Sequence, residues 1–519
     1  MAVPPATFVV DHLLQREQEK PDAPCWIYEG RTWSWAEAAD GARRLAGALR
    51  AAGVERGGTV AFLDKNNPAI MQTTYAVALL GAKQAIVNWR LAGDELDYVV
   101  NDSGATVLLV GHELLDTVNL VRDRLTNIER VVVVGGPDDE YEALVASGEP
   151  LDQDPAVTPD DVVTVMYSSG TTGRPKGVML TQHNLVQHTA HGGGDVEYTD
   201  GDMLMVAMPM FHVGGSSYAF FGPAAGIPAY VVREVDGAKL AGAVMAGCTH
   251  AFLVPAVVAG LIQAGPDAMA LFSRLKVFSY GAAPMPLPVL RAALEAWPTT
   301  HFMQVYGMTE MCGVATVLDD AAHRDEAHPE RLVSAGRPIE GVELRVVDPA
   351  TGRDVEPGTA GELWWRTEQA TPGYLGRPDA TGELFAEDGW LRSGDVGRTD
   401  DGGFVYVEDR IKDMIITGGE NVYSPEVERV LAEHPDVLEL AVIGVPDDRW
   451  GEAVKAVVVL KDGATTTADD LRTFARERLA HYKVPSSFDV LGELPRNPSG
   501  KILKRELRKP YWSQASRQV

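Results

Sequence analysis

Residues Ser168 to Gly177 read Ser-Ser-Gly-Thr-Thr-Gly-Arg-Pro-Lys-Gly. Gly170, Gly173 and Gly177 let backbone N–H groups approach an anion closely. Ser168, Ser169, Thr171 and Thr172 add hydroxyl donors, and Arg174 and Lys176 add positive charge. Such a segment is suited to wrapping a polyphosphate. It is not a Walker A loop, because no Gly-Lys-[Ser/Thr] follows the first glycine at the required spacing. A plain polar turn would need neither three glycines nor four hydroxyls with two cations. Far downstream, Pro495-Arg496-Asn497-Pro498-Ser499-Gly500-Lys501 ends in a single ammonium that could be swung into the same site. A basic tail is the other reading of Lys501, since Lys504, Arg505, Arg508 and Lys509 follow it closely.

Positioning such groups requires a scaffold, and the first half of the chain has one. Ser34 and Glu37 have capping-box spacing. Ala38, Ala42, Leu45, Leu49 and Ala52 then recur at steps of four and three, a buried helical stripe. Short apolar runs alternate with helical patterns: Thr59 to Leu63, helix Ile70 to Leu80, Gln84 to Trp89, Thr106 to Val110 and Arg130 to Val134. The same alternation continues through Val162 to Met166, Met203 to Met208, Ala229 to Val232 and Val277 to Tyr280. It predicts parallel sheets covered by helices, an α/β fold. The helix-like stretch Thr181 to Thr189 gives the glycine-rich segment a strand–loop–helix context. Residues 136–161, rich in Asp, Glu, Gly and Pro, are the best disorder candidate.

From about Val342 the grammar changes. Val342 to Val347, Gly361 to Arg366 and Phe404 to Val407 are strand-like with little helix between them, which suggests a small β-barrel. After Asp409 it changes again. Helices at Pro425 to Leu431 and Asp469 to Leu479, and strands at Leu438 to Val445 and Ala453 to Leu460, make a compact α+β unit. The expected organisation is therefore a large N-terminal domain, 1–409, of two α/β subdomains plus a small β-barrel. A hinge at 410–412 and a small mobile α+β domain at 413–519 follow.

At 519 residues the chain is long enough for more than one core. Its 46 basic and 73 acidic side chains give a formal charge of −27. That field disfavours nucleic acid and anionic lipid as partners, and any anionic ligand needs local cations. Cys25, Cys248 and Cys312 are isolated, which argues against a disulfide framework and for reduced thiols in the cytoplasm. The N-terminus has no signal-peptide pattern, no run of apolar residues is long enough to span a bilayer, and Ser516 to Val519 is not a peroxisomal address.

Several further segments extend the pattern in order: Gly281-Ala282-Ala283-Pro284, Val305-Tyr306-Gly307-Met308-Thr309-Glu310, Ser393-Gly394-Asp395 and Asp409-Arg410. Together with the first two they resemble the adenylate-forming superfamily of acyl-CoA synthetases, peptide-synthetase adenylation domains and luciferases, from about Arg31 to Leu507. The resemblance implies that Ser168 to Lys176 hold the β- and γ-phosphates of ATP, and that Gly281, Ala282, Ala283, Tyr306 and Gly307 border the adenine. It implies that Thr309 meets the α-phosphate and Glu310 helps hold Mg²⁺. A hard cation bridging phosphates prefers carboxylate oxygen and keeps most of its waters. By the same resemblance Asp395, with Arg410 beside it, accepts from the ribose hydroxyls. Lys412 occupies the family's hinge position, where many members carry Asp. Lys501 becomes the catalytic cation of adenylation, at the spacing of ligases silenced by lysine acetylation, which makes an acetyltransferase a candidate partner; separately, a homodimer is a candidate assembly.

The resemblance also bears on the acceptor and the acid. Ile416-Thr417-Gly418-Gly419-Glu420-Asn421 matches the pantetheine tunnel of CoA ligases, and Trp450 matches a residue that stacks on the CoA adenine. Arg90 aligns with a basic position that meets CoA phosphates. Met210 to Gly215 matches the gate of acyl- and aryl-CoA synthetases, although His212 reads equally well as a buried structural histidine. No Asp stands near Phe211 or His212 to pair with an amino acid's ammonium. By analogy Phe211, His212, Val254, Tyr280, Met308, Cys312 and Gly313 line an apolar acyl pocket, suited to a fatty or aromatic acid without fixed charge. The expected function is an ATP-dependent acid–CoA ligase working through acyl-AMP. An acyl-AMP ligase that loads a carrier protein, and a catalytically silent nucleotide-binding relative, are the alternatives.

Overall fold

Ser34 and Glu37 cap the first long helix as their spacing predicts. Oγ of Ser34 accepts from the Glu37 N–H at 3.1 Å, and the Glu37 carboxylate accepts from the Ser34 N–H at 2.7 Å. The helix Trp35–Ala51 buries Ala38, Ala42, Leu45 and Leu49, a stripe at helical period against the helix Pro68–Leu80. The computed structural model describes residues 4–168, 174–193, 196–410, 413–417, 420–447, 449–496 and 502–512. Among these the strands form four sheets.

One sheet runs in the order Gly373–Tyr374, Lys176–Thr181, Val162–Ser168, Lys83–Ile86, Thr59–Leu63, Val107–Gly111 and Arg130–Val134. Its last five strands pair in parallel. Thr59–Leu63 is buried at every residue, as expected for a strand covered on both faces. A second sheet runs Arg337–Pro338, Gly313–Leu318, His301–Met308, Val277–Gly281, His250–Leu253, Leu204–Val206, Ala229–Val231, Pro24–Tyr28 and Arg31–Ser34. Its centre is parallel, with antiparallel pairs at both ends.

Two expectations need correction. The glycine-rich segment does not run directly into a helix. An antiparallel strand, Lys176–Thr181, intervenes and returns along Val162–Ser168 before the helix Gln182–His191. Val178 and Leu180, two apart, are both fully buried, the period of a strand. Residues 136–161 contain the helix Tyr141–Ser147, anchored by buried Tyr141, Leu144 and Val145. The Tyr141 hydroxyl donates to Oε1 of Gln72 at 2.8 Å, so three apolar anchors outweigh the polar composition.

The β-rich segment forms a four-stranded antiparallel sheet in the order Val342–Val347, Gly361–Thr367, Leu391–Thr399 and Val405–Arg410. Beyond it, the described strands from Ile415 onward pair only with one another. They enclose a separate core of Val422, Val427, Leu431, Val442 and Val454. Between the two, the Asp409 carboxylate accepts from the N–H and the Oγ of Ser424, both at 2.8 Å.

Candidate active site

Ser168 and Lys176 are register partners, so the glycine-rich loop closes at its neck. Ser169, Gly170, Thr171, Thr172 and Gly173 lie outside the described residues. Below the neck the Tyr167 hydroxyl donates to Oδ2 of Asp102 at 2.9 Å, and Arg377 pairs with the other oxygen of that carboxylate. Tyr98 donates to the Pro175 carbonyl at 3.1 Å, and the Arg174 guanidinium lies 4.8 Å from the Tyr98 ring centre. Both ends of the loop are thereby tied to one carboxylate-centred cluster. Burial and the neighbouring Asp102 carboxylate push the Tyr167 phenol upward, keeping it a donor.

The strand His301–Met308 ends in the short turn Thr309–Met311, with Cys312 at φ 58°. Gly307 is required here: a Cβ would lie 1.6 Å from the Gly313 carbonyl of the returning strand. The turn delivers Glu310 into a buried position, where Oε1 accepts from the Tyr374 hydroxyl at 2.8 Å. Lys176 Nζ lies 5.0 Å from the centre of the Tyr374 ring. Lys176, at the neck of the loop, and the buried carboxylate thus flank one tyrosine. No group of three or more metal-ligating side chains occurs among the described residues. Glu310 offers one buried carboxylate, the hard oxygen donor that a Mg²⁺ held mainly by phosphate and water would take.

Asp395 and Arg410 are cross-strand partners, with Arg410 Nε 3.2 Å from Oδ1. Oδ2 accepts from the Tyr306 hydroxyl at 2.7 Å. Gly281 ends its strand against Val305, where a Cβ would meet the Val305 carbonyl at 2.3 Å. Ala282 follows at φ 66°, exposed beside Ala283. Tyr306, Gly307 and Ala282 are therefore gathered at the C-terminal ends of two paired parallel strands, the usual place for ligands in open α/β sheets, and Asp395 reaches them from the antiparallel sheet.

A largely apolar cavity of roughly 730 Å³, counting the part open to solvent, adjoins this set. Tyr306, Gly307, Ala282 and Gly313 are on its wall. Most of the expected acyl-pocket residues are not. Tyr280 is fully buried and bonds to His323 Nε2 at 2.8 Å, because alternate residues of its strand face opposite ways: Val277 and Ser279 face the cavity, Phe278 and Tyr280 the core. Cys312 is likewise buried in the core. Phe211, His212, Val254 and Met308 are also absent from the cavity wall. The wall is made instead by Val213, Gly214, Ser217, Tyr218 and Phe221, at helical spacing, and by His250 and Phe252, two apart on a strand. Those spacings were visible in the sequence and were not used.

Phe211 and His212 stand together beside Trp89 and Arg90. The Phe211 and His212 ring centres are 4.3 Å apart, and Arg90 stacks over Trp89 at 4.1 Å. His212 Nε2 is buried with no partner among the described residues, and burial, then Arg90, pushes the imidazole down to about 4. In the C-terminal sheet Thr417 pairs with Gly451, which brings half-exposed Trp450 to the edge that carries Ile416. Gly418, Gly419, Lys412 and Lys501 lie outside the described residues.

Comparison with known proteins agrees with this geometry. The family described as AMP-binding enzyme matches residues 13–375, and the AMP-binding enzyme C-terminal domain matches residues 426–501. The chain is 36% identical over 510 residues to the fatty acid–[acyl-carrier-protein] ligase ScoC of Streptomyces coeruleorubidus, covering 97% of this chain and 96% of that protein. It is 38% identical over 502 residues to a feruloyl-CoA synthase from an Amycolatopsis species, covering 96% and 98%. The o-succinylbenzoate CoA synthetase MenE of Bacillus subtilis, in complex with the acyl-adenylate intermediate OSB-AMP, superposes with a TM-score of 0.84 at 30% identity, covering 98% of both chains. Its complex with ATP and magnesium ion gives 0.82 at 31% identity, covering 96% and 99%.

Proposed function

Because this chain belongs to the family of AMP-binding enzymes, we propose that it joins a carboxylic acid to coenzyme A in two steps driven by ATP. In the first step a carboxylate oxygen attacks the α-phosphorus, forming acyl-AMP and expelling pyrophosphate. In the second the CoA thiol attacks the acyl carbon, the thiol proton leaves, and AMP departs with the mixed-anhydride electrons. The observation that carries this reading is that Tyr306 and Gly307 line an apolar cavity and lie on the strand whose following turn sets Glu310 against Tyr374, beside Lys176. An acid seated in the cavity presents its carboxylate at that wall, next to the groups that would hold phosphates.

Each residue then has a task. Ser168 to Gly173 and Lys176 hold the β- and γ-phosphates. Gly281 to Ala283 and Tyr306 border the adenine. Asp395, fixed by Tyr306 and Arg410, accepts from the ribose. Thr309 meets the α-phosphate. Glu310 would hold Mg²⁺, which when bound shields the phosphate charge. Lys501 neutralises charge building on the phosphoryl oxygens, a contribution that needs positioning rather than bond making. His212 and Phe211, beside Arg90, gate the acid's entry. For the second step we assign the hinge to residues 410–412, about which 413–519 turns and presents Gly418, Gly419 and Trp450 to CoA, while Arg90 meets its phosphates. The self-contained pairing of strands after Ile415 supports a unit that moves as one. Buried, unpaired Cys25, Cys248 and Cys312 fit a reducing cytoplasm, and among the described residues no helix is long and apolar enough to cross a membrane.

Acid-dependent ATP–pyrophosphate exchange across short, medium, long and aromatic acids, followed by thioester analysis with free CoA, tests the proposal. Exchange and acyl-CoA together are expected. Exchange with acyl transfer only to a carrier protein overturns CoA as acceptor, and no exchange with any acid overturns the ligase reading.

A further inference from the structure

The cavity is largely apolar, and polar atoms without partners among the described residues lie at or just behind one part of its wall. Ser217 is on its wall, 3% exposed, and its hydroxyl makes no hydrogen bond among the described residues. Behind Ser217 stands His188, fully buried, with neither ring nitrogen bonded among the described residues. Burial pushes this imidazole down to about 4, so at neutral pH it offers one donor and one acceptor nitrogen.

Two glycines of the cavity wall keep the imidazole next to the cavity. A Cβ on Gly313 would stand 2.9 Å from His188 Nε2 and 3.0 Å from Ser217 Oγ, and a Cβ on Gly192 would stand 2.9 Å from the same nitrogen. Any side chain at either position would come between the nitrogen and the cavity. Nε2 of His250, another wall residue, is also unbonded among the described residues, while its Nδ1 is held 2.8 Å from Thr249 Oγ1. The remaining wall near Ser217 is apolar, with Val213, Phe221, Phe252 and Val314. A buried polar atom without a partner costs about 1–3 kcal/mol. A hydrocarbon occupant would leave that cost in place, whereas a hydroxyl both donates and accepts.

We propose that the acid accepted here carries a hydroxyl on an otherwise apolar body, and that Ser217, backed by His188, reads that hydroxyl. The inference rests on the acid-ligase reading and narrows its substrate class. A site that hydrogen-bonds a substrate hydroxyl discriminates strongly against the analogue lacking it, because its own polar atoms are then left unpaired.

The test measures kcat/KM for pyrophosphate release with matched acids. Aromatic acids are compared with counterparts hydroxylated at each ring position, and straight-chain acids with their terminal alcohols. One hydroxylated acid should exceed its unsubstituted partner by 10-fold or more. In Ser217→Ala, folded by its melting temperature, that ratio should fall toward one through loss on the hydroxylated member. Equal kcat/KM within every pair, or a preference that survives in Ser217→Ala, overturns the inference and leaves the ligase reading standing. Pyrophosphate release with no acid of either series overturns both.

Discussion

The hydroxyl of Tyr306 donates a 2.7 Å hydrogen bond to Oδ2 of Asp395. The two residues belong to different sheets, so the bond ties the end of a central parallel strand to the four-stranded antiparallel sheet. Arg410 engages the other oxygen, and the Ser393 Oγ accepts from the Asp395 N–H at 3.0 Å. The carboxylate is therefore oriented before any ligand arrives.

That orientation predicts a graded response in nucleotide binding. Asp395→Asn should raise KM for ATP by about 10-fold or more, the scale of a lost charge-assisted hydrogen bond. Tyr306→Phe, which removes only the orienting hydroxyl, should raise it by roughly 3- to 10-fold with kcat little changed. Steady-state kinetics at saturating acid would settle the matter. Unchanged KM in Asp395→Asn would remove the carboxylate from the ribose.

Glu310 should control the magnesium requirement. Glu310→Gln keeps the shape and the bond from Tyr374 but removes the charge that favours a hard cation. Titrating Mg²⁺ in the exchange assay should show half-saturation about 10-fold higher or more. A smaller change is expected in Tyr374→Phe. If both variants titrate like the parent enzyme, Glu310 holds no metal.

Lys501 should separate the two half-reactions. Lys501→Ala is expected to lose adenylation by on the order of 10²-fold or more, as when one oxyanion donor is removed. Conversion of supplied acyl-AMP and CoA to thioester should persist, because on the proposed reading the domain carrying Lys501 turns away before that step. Equal loss in both assays would make Lys501 a structural residue.

Acid should destabilise the protein earlier than its carboxylates alone would dictate. His188, His212, His250 and His323 are each pushed down to about 4, chiefly by burial. Their folded-state values lie below the unfolded value of 6.5. Their stabilising effect is therefore complete above pH 6.5 and drains away as pH falls toward 4, where the unfolded chain binds protons that the folded chain refuses. Each ring contributes at most about 1.4 kcal/mol per pH unit within that window. Urea midpoints should be level above pH 7 and decline steadily from pH 6.5 to 5. A midpoint that stays constant down to pH 5 would contradict the burial of these rings.

How much was legible beforehand depended on the kind of signal. Thr59–Leu63, Arg130–Val134 and Val342–Val347 were read to the residue, because uninterrupted β-rich runs bounded by turn residues are local signals. Tyr306, Glu310, Asp395 and Arg410 were found through ordered motifs, and the structure brings Tyr306, Asp395 and Arg410 into contact. The cavity wall is less legible. Which face of a strand meets a cavity depends on what packs behind it: Ser279 faces the cavity and its neighbour Tyr280 the core. Tyr374, Asp102 and Arg377 escaped notice altogether: each acts through partners 64 to 275 residues away, and no short-range pattern marks them.

One hairpin, His301–Met308 with Gly313–Leu318, carries Tyr306 of the proposed nucleotide site and lends cavity wall from both of its strands. The constraint at Gly307 leaves almost no room at the crossing. A lineage that changes diet cannot remodel this hairpin without disturbing the nucleotide. On the proposed reading, change in acid preference falls to the rest of the wall, along Val213–Ala219 and His250–Leu253, where side chains can be exchanged while the energy-coupling chemistry is inherited intact.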